Sequence, residues 1–189
     1  MTAVALLRNT AADWGAVAKT LHWLIAVLIL IEIPLGWIAV AWRLSPVKLN
    51  LFVWHKSVGV LILALVLLRL AWRWANPLPR LPAGIPAWQH VAAKVDHLLQ
   101  YALMLALPVS GWIVDSAARI PFRVFWLFQL PHIVGPSKAL EELGKVAHYG
   151  MAIALLVLLA GHIGAGFWHH TVRRDDVLRR MLPTRKNAS

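Results

Sequence analysis

Four stretches of the chain are almost uninterruptedly apolar: residues 20–41, 51–72, 91–114 and 146–168. Each approaches or exceeds the roughly 20 residues that an α-helix needs to cross the hydrocarbon core of a bilayer. Tryptophans stand near their ends, Trp23 and Trp42 on the first, Trp54 and Trp72 on the second, Trp112 on the third and Trp168 on the fourth, where an interfacial aromatic belt places them. The pattern predicts an all-α integral membrane protein, a four-transmembrane-helix bundle forming a single domain over residues 1–189. Between the spans, "NPLPRLPAGIP" reads as a short, proline-stiffened connector. The aromatic, basic and proline-broken "ARIPFRVFWLFQLPHIVGPSK" is expected to lie along the outer membrane surface. The first run follows Arg8 and Lys19 and ends in a small-residue pattern at Ala39 and Ala41, but it is too long for a signal core and is interrupted by Glu32 and Pro34. It reads as a span.

Composition agrees. Of 189 residues, 60% are hydrophobic and 14% charged, and mean hydropathy is +0.66, outside the range of soluble domains. With no cysteine, disulfides, thiolate metal sites, Cys-ligated iron–sulfur clusters and covalently attached haem are excluded. The net charge of +11 does not point to nucleic acid in so oily a chain; it marks loops and anionic lipid headgroups. Of the 19 Lys and Arg, 12 fall on the side of the two termini and the second loop, against 7 on the other side. The positive-inside rule then places both termini in the cytoplasm.

Nine histidines remain as candidate ligands, and four alternating helices give each a depth. His22 and His162 share the cytoplasmic level; His55 and His148 share the outer one. His148 and His162 are 14 residues apart on one helix, so their imidazoles point the same way within about 40° and lie about 21 Å apart along the axis. Two levels of paired neutral imidazoles suit bis-His ligation of two b-type haems. The same count of 14 leads from His55 to Arg69, a cation expected at the cytoplasmic haem's propionate. From His22 it leads to Gly36, which with Gly59 is expected to leave room for the outer porphyrin. His97, with His90 seven residues before it and Lys94 and Asp96 alongside, is placed to hydrogen-bond a quinone carbonyl. His169, and less specifically His170, could line that pocket. His132 reads as incidental. Glu32, deep in the first span, needs a polar contact to be tolerated there.

The stretches "TLHW", "WHKSVGVLILALVLLRLAWR", "HLLQYALMLALPVSGW", "HYGMAIALLVLLAGHIGAGFWHH" and "DDVLRRMLP" together resemble the bacterial cytochrome b561 family, over almost the whole chain. The resemblance implies a four-helix bacterial inner-membrane protein with two haems b, ligated by His22 with His162 and by His55 with His148. It also implies ubiquinone as electron acceptor, contacted by His97. Stand-alone members include superoxide oxidases, which take an electron from superoxide at the periplasmic face and reduce ubiquinone near the cytoplasmic one. An outer face with 7 basic residues against Asp115, Glu141 and Glu142 would steer that anion. The alternative is a haem-bearing membrane anchor of a larger dehydrogenase or hydrogenase, docking and transferring electrons only. A haem-free transporter using the histidines as a pathway fits the pairing by level less well.

Overall fold

A computed structural model describes residues 7–11, 13–79 and 84–182. Part of the proline-rich connector, including Arg80, and the tail charges Arg185 and Lys186 lie outside the described residues. Four long helices dominate: α1 (Ala16–Ala41), α2 (Pro46–Trp74), α3 (Ala87–Ala117) and α4 (Lys138–Trp168). All four are long and apolar enough to span a membrane. The protein is a four-span helical membrane bundle.

The helices exceed the apolar runs because their ends are set by caps rather than by hydropathy. Ser45 Oγ accepts from the Lys48 N–H at 3.3 Å ahead of Pro46 at the first helical position, so α2 starts five residues before its oily run. Ser137 Oγ accepts from the Leu140 N–H at 3.2 Å and starts α4 eight residues early. Trp42, Trp74, Trp88 and Trp168 stand exposed at or beside the helix ends, as interfacial tryptophans do.

α1 packs on α2, α3 packs on α4, and α2 touches α3. Among the described residues no extended backbone contact joins α1 to α4, so two antiparallel hairpins face each other across a slot. The buried core is one cluster at mid-height: Ile25 and Ile29 of α1, Val58, Ile62 and Val66 of α2, Met104 of α3 and Leu155 of α4. Outward-facing Leu24, Leu30, Leu67, Leu68 and Val157 are exposed on the protein surface, where lipid rather than protein covers them.

The segment after α3 folds into a short β-ribbon at the far end of α2. Residues Arg123–Val124 (β1) and Phe128–Gln129 (β2) pair antiparallel, Val124 opposite Phe128. The turn between them closes with Leu127 N–H donating to the Val124 carbonyl at 2.8 Å. Phe125 and Trp126 occupy it at φ of 46° and 61°, a left-handed conformation unusual for large side chains. Tertiary contacts hold it: both rings stack edge-on against Trp54, and the Phe125 N–H donates to the buried Ser57 Oγ at 2.7 Å. Phe122 and Val124 are buried beneath. Trp126, Leu127 and Phe128 stay exposed on it, so the aromatic, proline-broken composition marks a ribbon that is only partly covered by α2.

At the other end, α4 continues as a π-helical turn (His169–Arg173) and a short 3-10 turn (Arg179–Met181). The tail returns to α1, where Trp23 Nε1 donates to the Met181 carbonyl at 2.7 Å.

Candidate metal centres

Four spans put both termini at one end of the bundle, hereafter the near end; the α1–α2 connection and the β-ribbon mark the far end. The four paired histidines are all half-buried and face the slot between the hairpins. At the near end the rings of His22 (α1) and His162 (α4) have centroids 6.3 Å apart. At the far end those of His55 (α2) and His148 (α4) are 6.2 Å apart. Two imidazoles each bonded through one nitrogen at about 2 Å to a shared first-row metal, with about 1.1 Å from nitrogen to ring centre, place their centroids about 6 Å apart. Both pairs meet that separation. His97 is closer to His162, at 5.5 Å, which is short of the separation for two rings on opposite sides of one metal.

The hydrogen-bond pattern decides which nitrogen is available. His162 Nδ1 lies 3.0 Å from Asp96 Oδ2, and a carboxylate can only accept, so the ring carries its proton on Nδ1. His148 Nδ1 lies 2.8 Å from Ser110 Oγ. That hydroxyl already donates its proton to the Leu107 carbonyl at 2.8 Å, so it accepts from His148. His55 Nδ1 sits 2.9 Å from Glu32 Oε1, near enough to pair although not aligned as a linear hydrogen bond. In all three the Nε2 lone pair is left for a metal, as in metal sites whose ligand histidines are oriented through their other nitrogen.

The anchoring residues repeat the histidine spacing. Asp96 and Ser110 of α3 are 14 apart and face His162 and His148 of α4, also 14 apart, in one antiparallel register. On the other hairpin, Glu32 opposite His55 and the Ala18 carbonyl opposite Arg69 Nη1 (3.4 Å) obey a single register too. Midway between the two levels stand Ile29, Ile62 and Leu155, seven residues from His22, His55 and His148 respectively, all in the buried core cluster. They form an apolar septum between the levels.

Arg69 reaches the near level, its Nε donating to the Tyr101 hydroxyl at 2.8 Å. Gly36 and Gly59 face His55 and Glu32: a Cβ on Gly36 would stand 2.8 Å from His55 Cε1, and one on Gly59 would stand 3.4 Å from Glu32 Oε1. His97 is exposed beside Asp96. Ligand atoms of Asp96, His97 and His162 lie within 4.8 Å of one another, but Asp96 is already occupied, by His162 and by both of its contacts from Gln100 Nε2 at 2.9 Å. His169 lies about 10 Å beyond His162 along the helix axis, its Nδ1 held 2.6 Å from Asp175 Oδ2. His132 is exposed in the far loop, and His90 and His170 are half-buried at the near end.

The model of the family "Prokaryotic cytochrome b561" matches residues 13–184. The chain belongs to that family. It is 30% identical over 181 residues to cytochrome b561 homolog 2 of Escherichia coli (strain K12), covering 92% of this chain and 93% of that one. To cytochrome b561 homolog 1 of the same organism it is 31% identical over 132 residues, 70% and 74% of the two chains. To the probable superoxide oxidase CybB of Yersinia pestis it is 27% identical over 176 residues, 88% and 93% of the chains. Cytochrome b561 proteins are membrane electron-transfer proteins that bind haem b, and the donor set here, neutral imidazole without thiolate, fits that group.

The structure brings together the histidines that the sequence pairs by level and sets Arg69 at the near one. Sequence reasoning missed Asp96 and Ser110 as anchors of those histidines, and left the partner of Glu32 open. The 14-residue interval between Asp96 and Ser110 was the available signal.

Proposed function

We propose that this cytochrome b561-family protein takes electrons from superoxide at the far end and delivers them to ubiquinone at the near end, through two haems b. His22 and His162 would hold the near haem, with Arg69 as cation for a propionate; His55 and His148 would hold the far one. The observation that carries this reading is the pair of His–His separations, 6.3 and 6.2 Å, at two levels 14 residues apart on α4. Bound haem supplies a reversible one-electron couple at each level. The charge asymmetry of the loops supports both termini in the cytoplasm of a bacterial inner membrane.

At the far end the chain's own residues favour an anionic donor. Lys56 pairs with Asp115 at 2.8 Å, and Lys138 and Lys145 pair with Glu141 and Glu142. Arg43, Lys48, Arg119 and Arg123 have no carboxylate in pairing range among the described residues, so the face keeps an excess of four positive charges over its carboxylates. Such a field raises the encounter rate of a small anion. The buried apolar side chains of Ile29, Ile62 and Leu155 lie between the levels, where they offer an ion no polar partner. At the near end exposed His97, with Asp96 behind it, offers a hydrogen-bonding group at a membrane-edge position, and His169 borders the approach. The balance is two superoxide, one quinone and two protons giving two dioxygen and one quinol.

The test is a pulse of superoxide onto the purified protein with a water-soluble ubiquinone analogue, followed in the visible haem bands. Rapid haem reduction and quinol formation, abolished by superoxide dismutase, are expected. Haems that stay oxidised, or a dehydrogenase co-purifying in stoichiometric amount, would replace this reading with that of an electron-transferring membrane anchor.

A further inference from the structure

Of the four paired imidazoles, one at each level is backed by a carboxylate and one is not. At the far end Glu32 Oε1 lies 2.9 Å from His55 Nδ1, while His148 is held by the neutral hydroxyl of Ser110. At the near end Asp96 Oδ2 lies 3.0 Å from His162 Nδ1, while among the described residues no carboxylate lies in pairing range of His22. Each carboxylate comes from the helix paired with that of its histidine: α1 supplies Glu32 to α2, and α3 supplies Asp96 to α4.

The surroundings are built for this. Glu32 sits beneath Gly59, where a side chain would crowd it, and His55 lies against Gly36, where a Cβ would come within 2.8 Å of its ring. Both side chains are mostly buried, His55 at 22% and Glu32 at 14% exposed. Burying a carboxyl group in a membrane span is costly unless it has a specific partner, and the close approach of Glu32 is to His55 Nδ1, the ring nitrogen that leaves Nε2 free. Asp96 is fixed from its other side by Gln100, whose Nε2 donates to both carboxylate oxygens at 2.9 Å. α3 contributes no ligand to either proposed centre, yet it carries the anchors of both α4 histidines.

We propose that Glu32 and Asp96 are positioning residues, one for each centre, that hold His55 and His162 by Nδ1 and lower the reduction potential of the iron each histidine ligates. The proposal rests on the two-haem reading above. A carboxylate accepting from Nδ1–H makes the opposite nitrogen a stronger donor, which favours the ferric over the ferrous state. Hydroxyl and unpaired imidazoles lack that effect, so each centre has one carboxylate through which its potential is set independently of the other.

The experiment is a redox titration of the purified protein, resolved into its two one-electron components in the visible haem bands, with low-spin ferric electron paramagnetic resonance as a second readout. Glu32→Gln is expected to raise one component about tenfold in its reduction equilibrium, about 59 mV for one electron, and to shift one set of g values. Asp96→Asn is expected to do the same to the other component. Unshifted potentials in variants that retain both haems would overturn the proposal, as would both variants moving the same component. If Glu32→Gln loses a haem, Glu32→Asp decides: recovery of that haem near the original potential supports the proposal, and failure to recover it while the other haem remains overturns it. An unsubstituted protein with no b-haem band would instead overturn the haem reading itself.

Discussion

A single missing methyl group governs the far pair of imidazoles. Gly36 lies against His55, and an added Cβ would meet Cε1 at 2.8 Å, nearer than carbon atoms pack without one of them moving. His55 cannot yield without leaving either Glu32 or His148. If two haems are bound as proposed, Gly36→Ala is expected to reduce the haem per protein from two toward one, read from the pyridine haemochrome spectrum. Gly150→Ala, where nothing lies within 4 Å, should leave the ratio unchanged. Equal haem content in both variants would show that His55 is not confined as described. The glycine was legible in the sequence as a place that needed room; that the room is for an imidazole was not, because it depends on how α1 and α2 are rotated about their own axes.

At the scale of elements, the C-terminal turn is held by an ion pair that titrates. Burial raises the Asp175 carboxyl, but the hydrogen bond from His169, the Val177 N–H at 3.1 Å and the positive charges of His169 and Arg173 outweigh it and leave its pKa below the ordinary 3.8. A depressed folded-state pKa means the unfolded turn binds its proton first as pH falls. The contribution of the Asp175 carboxylate is thus present above the ordinary carboxyl value and is lost as pH drops through the lower folded one. Amide exchange over 174–182, corrected for its intrinsic pH dependence, should show protection that falls in that window and is absent at all pH values in Asp175→Asn. A protection profile unaltered by the substitution would remove the pair from the account of the turn. The sequence marks His169 as a histidine at the near end; its pairing with Asp175 is seen only in the structure, where the tail folds back to Trp23.

For the whole molecule, α4 is the shared wall of both levels, and the two hairpins meet through the septum and the histidine pairs and along α2 and α3, where Lys56 pairs with Asp115 and Arg69 with Tyr101. The levels are then structurally separable. His162→Ala is expected to remove the near haem and leave the far one, seen as loss of one component in the redox titration with the other within the error of its original potential. Loss of both, or retention of the near component, would show that the pairing of His22 with His162 is wrong. The far pair keeps its own anchors, Ser110 and Glu32, at the other side of the septum, which is the physical basis for that independence.

Length and hydropathy alone determine four spans, because crossing hydrocarbon demands a fixed length of helix with every backbone group satisfied internally. Spacing alone places the histidines at two levels, because helical rise and rotation are constants of the backbone. The tertiary structure decides the rest. Which nitrogen each histidine presents depends on its partner on a neighbouring helix, and that partner is chosen by the antiparallel register of each hairpin, to which distant parts of both helices contribute. The β-ribbon over Trp54 and Ser57 was likewise hidden, since its left-handed turn at Phe125 and Trp126 contradicts local preference and stands only on contacts with α2. Local sequence sets depth and direction along each helix; side-chain chemistry at the centres is fixed only when four helices pack and each imidazole meets the group behind it.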